Sequence, residues 1–126
     1  MAESEPDPIK RLKKYEGVVA RAKEILEKDN YFEEDVGSFW GIMETRPYMR
    51  ARQDMTLCLI ELGRYSQAII ECEDMLRLCE NDNTGVRYIL MGLYCVLEKF
   101  DEGEILYKKY KDNAVHMLLP LAVLYF

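Results

Sequence analysis

Histidine is nearly absent from this chain. His116 is the only one, flanked by Val115 and Met117, with no cysteine, serine or carboxylate beside it. A lone histidine on an apolar segment is more often structural than catalytic. None of the four cysteines, Cys58, Cys72, Cys79 and Cys95, forms a C-x-x-C pair. No close set of metal ligands is visible, so no zinc site is expected. Neither GxGxxG nor GxxxxGK[ST] occurs, so no glycine loop cradles a phosphate. No basic run occurs either. With 17 basic and 23 acidic residues the formal charge is −6, a poor match for nucleic acid or an anionic membrane surface. No apolar stretch reaches the ~18 residues that a bilayer span requires. The longest, residues 117–126, has 10 residues and contains Pro120. Residues 1–10 are largely acidic and Pro-containing, without the apolar stretch of a secretory signal. The thiols therefore read as small buried hydrophobes in a reducing cytoplasm, and a disulfide between two of them stays open. Catalytic residues, metals and cofactors are not expected, and neither is an enzyme.

What is present is helical. At 126 residues, 49% hydrophobic and 32% charged, the chain suits a single soluble globular domain. Residues 1–7 read as a disordered acidic tail and 8–126 as one helical domain. Leu12, Tyr15, Val19, Ala22 and Leu26 recur at steps of three and four, one face of a helix over 8–29. Residues 31–44 carry Gly37 and Gly41, which argue for a short helix or isolated turns. There Phe39 and Trp40 read as packing plugs, with an aromatic lid over a groove as the alternative for Trp40. Thr45 and Pro47 mark a helix start, and Gly63 a left-handed stop. Further helices are expected from Ser66 to Cys79, from a Thr84 cap to about Glu98, and from an Asp101 cap to about Lys111. A last helix over 114–126 is interrupted by Pro120. The acidic run Glu33-Glu34-Asp35 lacks the ligand spacing of a calcium loop.

The strongest pattern is internal. Leu62-Gly63-Arg64-Tyr65-Ser66-Gln67-Ala68 aligns with Leu97-Glu98-Lys99-Phe100-Asp101-Glu102-Gly103 at a shift of 35 residues. Leu59 then pairs with Tyr94, Cys72 with Tyr107 and Met75 with Tyr110. A period of this length marks stacked supersecondary units. The turn and inward residues resemble the tetratricopeptide repeat (TPR) family, with repeats at about 49–82 and 84–117. Met55, Leu59, Leu62, Gly63, Tyr65, Ala68 and Ile69 match in the first repeat. Leu90, Tyr94, Leu97, Phe100, Gly103 and Tyr107 match in the second. Departures are Arg52 and Arg87 at the usual tryptophan position, Thr56 at a small-residue position, Met75 at a later alanine, Glu80 at the usual proline and Glu98 at the turn glycine. The runs 39–52 and 81–88 also resemble a subset of bacterial TPR proteins with no established activity. The resemblance implies an all-α, right-handed α-solenoid of six to seven helices.

It also implies a concave ligand face built from the first helix of each repeat. Here that face would carry Arg50, Gln53, Leu57, Ile60, Tyr88, Gly92 and Cys95. It lacks the Lys-Asn-Lys-type set that clamps acidic chaperone tails, so that partner class is rejected. Arg46, Arg50 and Arg52 form a cluster, with Arg87 expected to stack near Arg52. The cluster could clamp a carboxylate or phosphate. The favoured reading ties the repeat turns together through Glu44, Asp54, Asp82 and Glu80. The expected function is a protein-interaction module that holds a peptide or protein segment in the groove. The alternative is a homodimer formed through Leu121, Leu124, Tyr125 and Phe126, because solenoids need a polar final cap and this end is apolar. Truncation of the chain before such a cap is the other reading of that end.

Overall fold

Asp7 starts the first helix. Its side chain accepts a hydrogen bond from the Ile9 backbone N–H at 3.0 Å, and Pro8 fills the first helical position, where no partner for an N–H is needed. Asp7 thus leaves the tail assigned to it and becomes a cap. The computed structural model describes residues 5–110. These form six α-helices: α1 Pro8–Lys28, α2 Tyr31–Glu34, α3 Arg46–Glu61, α4 Tyr65–Leu78, α5 Val86–Val96 and α6 Phe100–Tyr110. Two 3-10 turns, Phe39–Gly41 and Met43–Thr45, lie between α2 and α3. All-α is therefore the class among the described residues. The expected helix over 114–126 and the apolar end lie outside them.

The chain divides into two compact units after Asn83. In the first, α3 packs against both α1 and α4. Met49, Met75 and Leu78 lie at its centre with almost no exposure, beside Met55, Leu59 and Ile69. Arg11 Nη2 donates to Glu61 Oε2 at 2.6 Å and ties α1 to the end of α3. Phe39 fills the plug role, with no exposed surface. Its ring lies 5.2 Å from Phe32, and Phe32 meets Tyr48 edge-on at 5.5 Å. Trp40 does not enter the core with it and stays half-exposed. In the second unit α5 packs against α6, and Val86, Leu90, Met91, Leu93, Tyr94 and Leu106 are buried.

Three expected caps are replaced. Thr45 has helical backbone angles and no capping bond to α3. Its hydroxyl donates instead to the Phe39 and Ile42 carbonyls, closing the 3-10 turns. Gly85, left-handed at φ 78°, precedes α5 in place of Thr84. The last described helix begins at Phe100, which puts Asp101 inside its first turn.

The aligned turns agree in detail. After α3, Gly63 at φ 76° donates to the Ile60 carbonyl at 2.9 Å, and Arg64 N–H to Leu59 at 2.8 Å. After α5, Glu98 at φ 54° donates to Cys95 at 3.2 Å, and Lys99 N–H to Tyr94 at 2.8 Å. Both ends are Schellman motifs, one built on glycine and one on glutamate. Ala68 and Gly103, the aligned small residues, are both buried.

One connection escaped the periodicity. Gly37, at φ 100°, donates its N–H to Leu78 C=O at 2.9 Å and accepts from Glu80 N–H at 3.1 Å. This short bridge pins the segment after α2 to the end of α4.

Candidate functional site

Arg50, Gln53 and Leu57 sit at i, i+3 and i+7 on α3 and so share one face. Arg50 is exposed, Gln53 half-buried, and Leu57 is 47% exposed. A cation therefore stands at one end of the row and an uncovered apolar side chain at the other. Tyr88, Gly92 and Cys95, at i, i+4 and i+7, share a face of α5, all half-buried. A Cβ added at Gly92 would meet nothing within 4 Å, so that face is open there. Each triplet is brought together on its own helix and belongs to its own unit. Leu121, Leu124, Tyr125 and Phe126 lie outside the described residues, as does His116.

The arginines divide into two kinds. Arg52 is 9% exposed. Its Nε meets Glu71 Oε2 at 2.6 Å and its Nη1 meets Asp74 Oδ2 at 2.5 Å. The Nη1 also donates to the Tyr48 hydroxyl at 3.1 Å. The partners are thus two carboxylates of α4, not Glu44, Asp54, Asp82 or Glu80. Glu71 and Asp74 are three apart and share an α4 face, which lets one guanidinium take both. Arg77 adds a 2.8 Å contact to Asp74. Burial pushes the Asp74 carboxyl up, but the hydrogen bonds and charge of Arg52, then Arg77, outweigh it and hold it below its usual value. Burial likewise raises the Tyr48 phenol against the pull of Arg52. This is an internal ion-pair network joining α3 to α4, the structural role anticipated for the position.

Arg46 and Arg50 are the second kind. Their guanidinium carbons lie 4.9 and 5.4 Å from the Trp40 ring centroid, within cation–π range. Arg46 Nε also donates to the Trp40 carbonyl at 2.8 Å. In the second unit Arg87 rests on Tyr88 at 4.5 Å and Tyr110 at 5.4 Å, and donates to the Tyr88 hydroxyl at 2.8 Å.

The thiols offer little chemistry. Burial, then the charges of Asp82, Glu71 and Glu73, push Cys72 up to about 12, so it stays a protonated thiol at neutral pH. Cys58, Cys72, Cys79 and Cys95 are all unpaired. Among the described residues no three or more His, Cys, Asp or Glu side chains converge as metal ligands, and no helix is long and apolar enough to cross a membrane.

Sequence reasoning missed an apolar cleft of about 260 Å³ between α1, α3 and α4, with Leu12, Met55, Leu59 and Ile70 inside and Glu16 and Glu71 among its polar groups. Ile70 and Ile105 occupy the same place in the 35-residue register, and both are largely exposed, at 64% and 66%. The chain matches no protein-family model, no curated protein and no solved structure.

Proposed function

We propose that the protein is a TPR-like helical interaction module that binds a peptide or protein segment and performs no chemistry of its own. The matched Schellman ends and the buried small residues Ala68 and Gly103 support the repeat reading. The observation that carries the binding role is the α3 row of Arg50, Gln53 and Leu57. Leu57 is 47% exposed there, and a cation seven residues before it selects for an acidic group on the same ligand. The preferred ligand is an extended or helical segment with an apolar anchor and a nearby carboxylate.

Panning a random peptide display library against the full chain tests this. Recovered peptides are expected to combine an apolar residue with Asp or Glu. Leu57→Asp is expected to weaken them by about tenfold or more, the worth of one buried leucine side chain. Val18→Asp, at an exposed site on α1, is the control and should leave binding unchanged. Peptides that bind Leu57→Asp and Arg50→Glu as tightly as the unaltered chain would overturn the assignment.

A further inference from the structure

Beside Trp40 lies a cavity of about 320 Å³ whose wall holds no residue of the peptide row, although Arg50 of that row reaches the Trp40 ring. Its polar wall comes from two distant segments, Ser38, Trp40 and Arg46 on one side and Cys79, Asn81 and Asn83 on the other. The Gly37 bridge holds those segments together. We propose that this cavity binds a phosphate group.

Charge is the first reason. Arg46 and Arg50 are four residues apart on α3, where like charges repel, and both are gathered around one indole ring. Arg11, Arg52 and Arg77 each meet a carboxylate. Among the described residues Arg46 and Arg50 meet none. The Arg46 Nε bond to the Trp40 carbonyl fixes the guanidinium at the cavity wall, and its terminal nitrogens remain available to an anion.

Donor number is the second. Asn83 Oδ1 accepts from the Cys79 thiol at 3.6 Å, which leaves the Asn83 amide NH₂ to donate. The Asn81 amide and the Ser38 hydroxyl make no hydrogen bond to described residues, and both residues are exposed, so water serves them until a ligand arrives. One guanidinium, two amides and a hydroxyl offer more donors than the two oxygens of a carboxylate take up. They suit the three oxygens of a phosphate monoester. None of the wall residues is acidic, and the Glu80 carboxylate lies against one of them, Gly37. The cavity falls at the lower end of small-ligand sites, so an organic body can accompany the phosphate.

Trp40 is the only tryptophan and lines this cavity, so its fluorescence reports on the site. The full chain is titrated with inorganic phosphate and with phenyl phosphate, against sodium benzoate and chloride at equal ionic strength. A saturable change with either phosphate, and not with benzoate or chloride, is expected. Response to both means the bare group suffices, and response to phenyl phosphate alone means the organic body is required. Arg46→Gln, followed by calorimetry, is expected to weaken binding about tenfold, as for loss of a charge-assisted hydrogen bond. Asn81→Ala leaves Arg46 and Trp40 in place and should weaken it about fivefold. It decides the matter if Arg46→Gln does not fold. Leu57→Asp should leave phosphate binding intact, which separates this site from the peptide row. The proposal is overturned if no saturable change occurs, if benzoate binds equally, or if Arg46→Gln and Asn81→Ala both bind as the unaltered chain does.

Discussion

Arg52 carries the sharpest energetic consequence of any single side chain. Removing it leaves Glu71 without a cation and Asp74 with only the exposed Arg77. Breaking a buried pair from one side costs about 3–5 kcal/mol, and the partial exposure of both carboxylates puts Arg52→Met near the lower figure, about 3 kcal/mol. Adding Glu71→Gln and Asp74→Asn should restore much of the loss, because the charges then disappear together. Urea denaturation of the single and triple variants checks this, and equal losses in both would refute it. The same contact sets an acid limit. Asp74 is held below its ordinary value in the folded state, so its contribution is complete above the unfolded carboxylate pKa. It is lost as pH falls below about 4 and through the folded value. Acid titration of the denaturation midpoint should show a shallower decline for Arg52→Met than for the unaltered chain. The arginine's internal pairing was legible from its apolar register position. Its partners were not, because sequence proximity favours Asp54 while the register of α4 against α3 brings in Glu71 and Asp74.

At the level of the helix, spacing revealed the bodies and missed several ends. Steps of three and four located α1 because a buried helix face repeats with the turn of the helix, and the turn residues of the 35-residue repeat placed α3, α4, α5 and α6. Caps are less legible. Thr45 has the right chemistry for a helix start, yet its hydroxyl satisfies carbonyls of the preceding turns, a local competitor for any threonine. The candidate α3 and α5 rows were readable as helix faces, whereas the cavity beside Trp40 was not, since its walls meet only through folding. The two Schellman ends supply a paired test. Glutamate in a left-handed conformation costs roughly 1–2 kcal/mol relative to glycine, so Glu98→Gly should stabilise the protein by about 1 kcal/mol. Gly63→Ala should destabilise it by a similar amount, since space is free around Gly63 and only its backbone angle resists. Thermal melts of both variants measure the two shifts. Shifts of the same sign would contradict a shared turn geometry.

Across the whole molecule, most order is local: each helix reads from its own stretch of sequence, and α3–α4 and α5–α6 are joined by turns of a few residues. Two ties reach further: the Arg11–Glu61 pair between α1 and α3, and the Gly37 bridge, which joins positions roughly forty residues apart, where closing so long a loop costs more chain entropy than forming either hairpin. That difference has a kinetic meaning. The α3–α4 hairpin can form early from nearby contacts, while the Gly37 pairing is expected on the native side of the folding barrier. Gly37→Ala, strained at φ 100°, should then leave the folding rate nearly unchanged and accelerate unfolding. Stopped-flow chevrons would display this as a raised unfolding limb over an unmoved folding limb, and a slowed folding limb would place the bridge in the nucleus instead. The segment bearing Gly37 and Trp40 would, on this timing, dock after the hairpin has formed and leave before it opens.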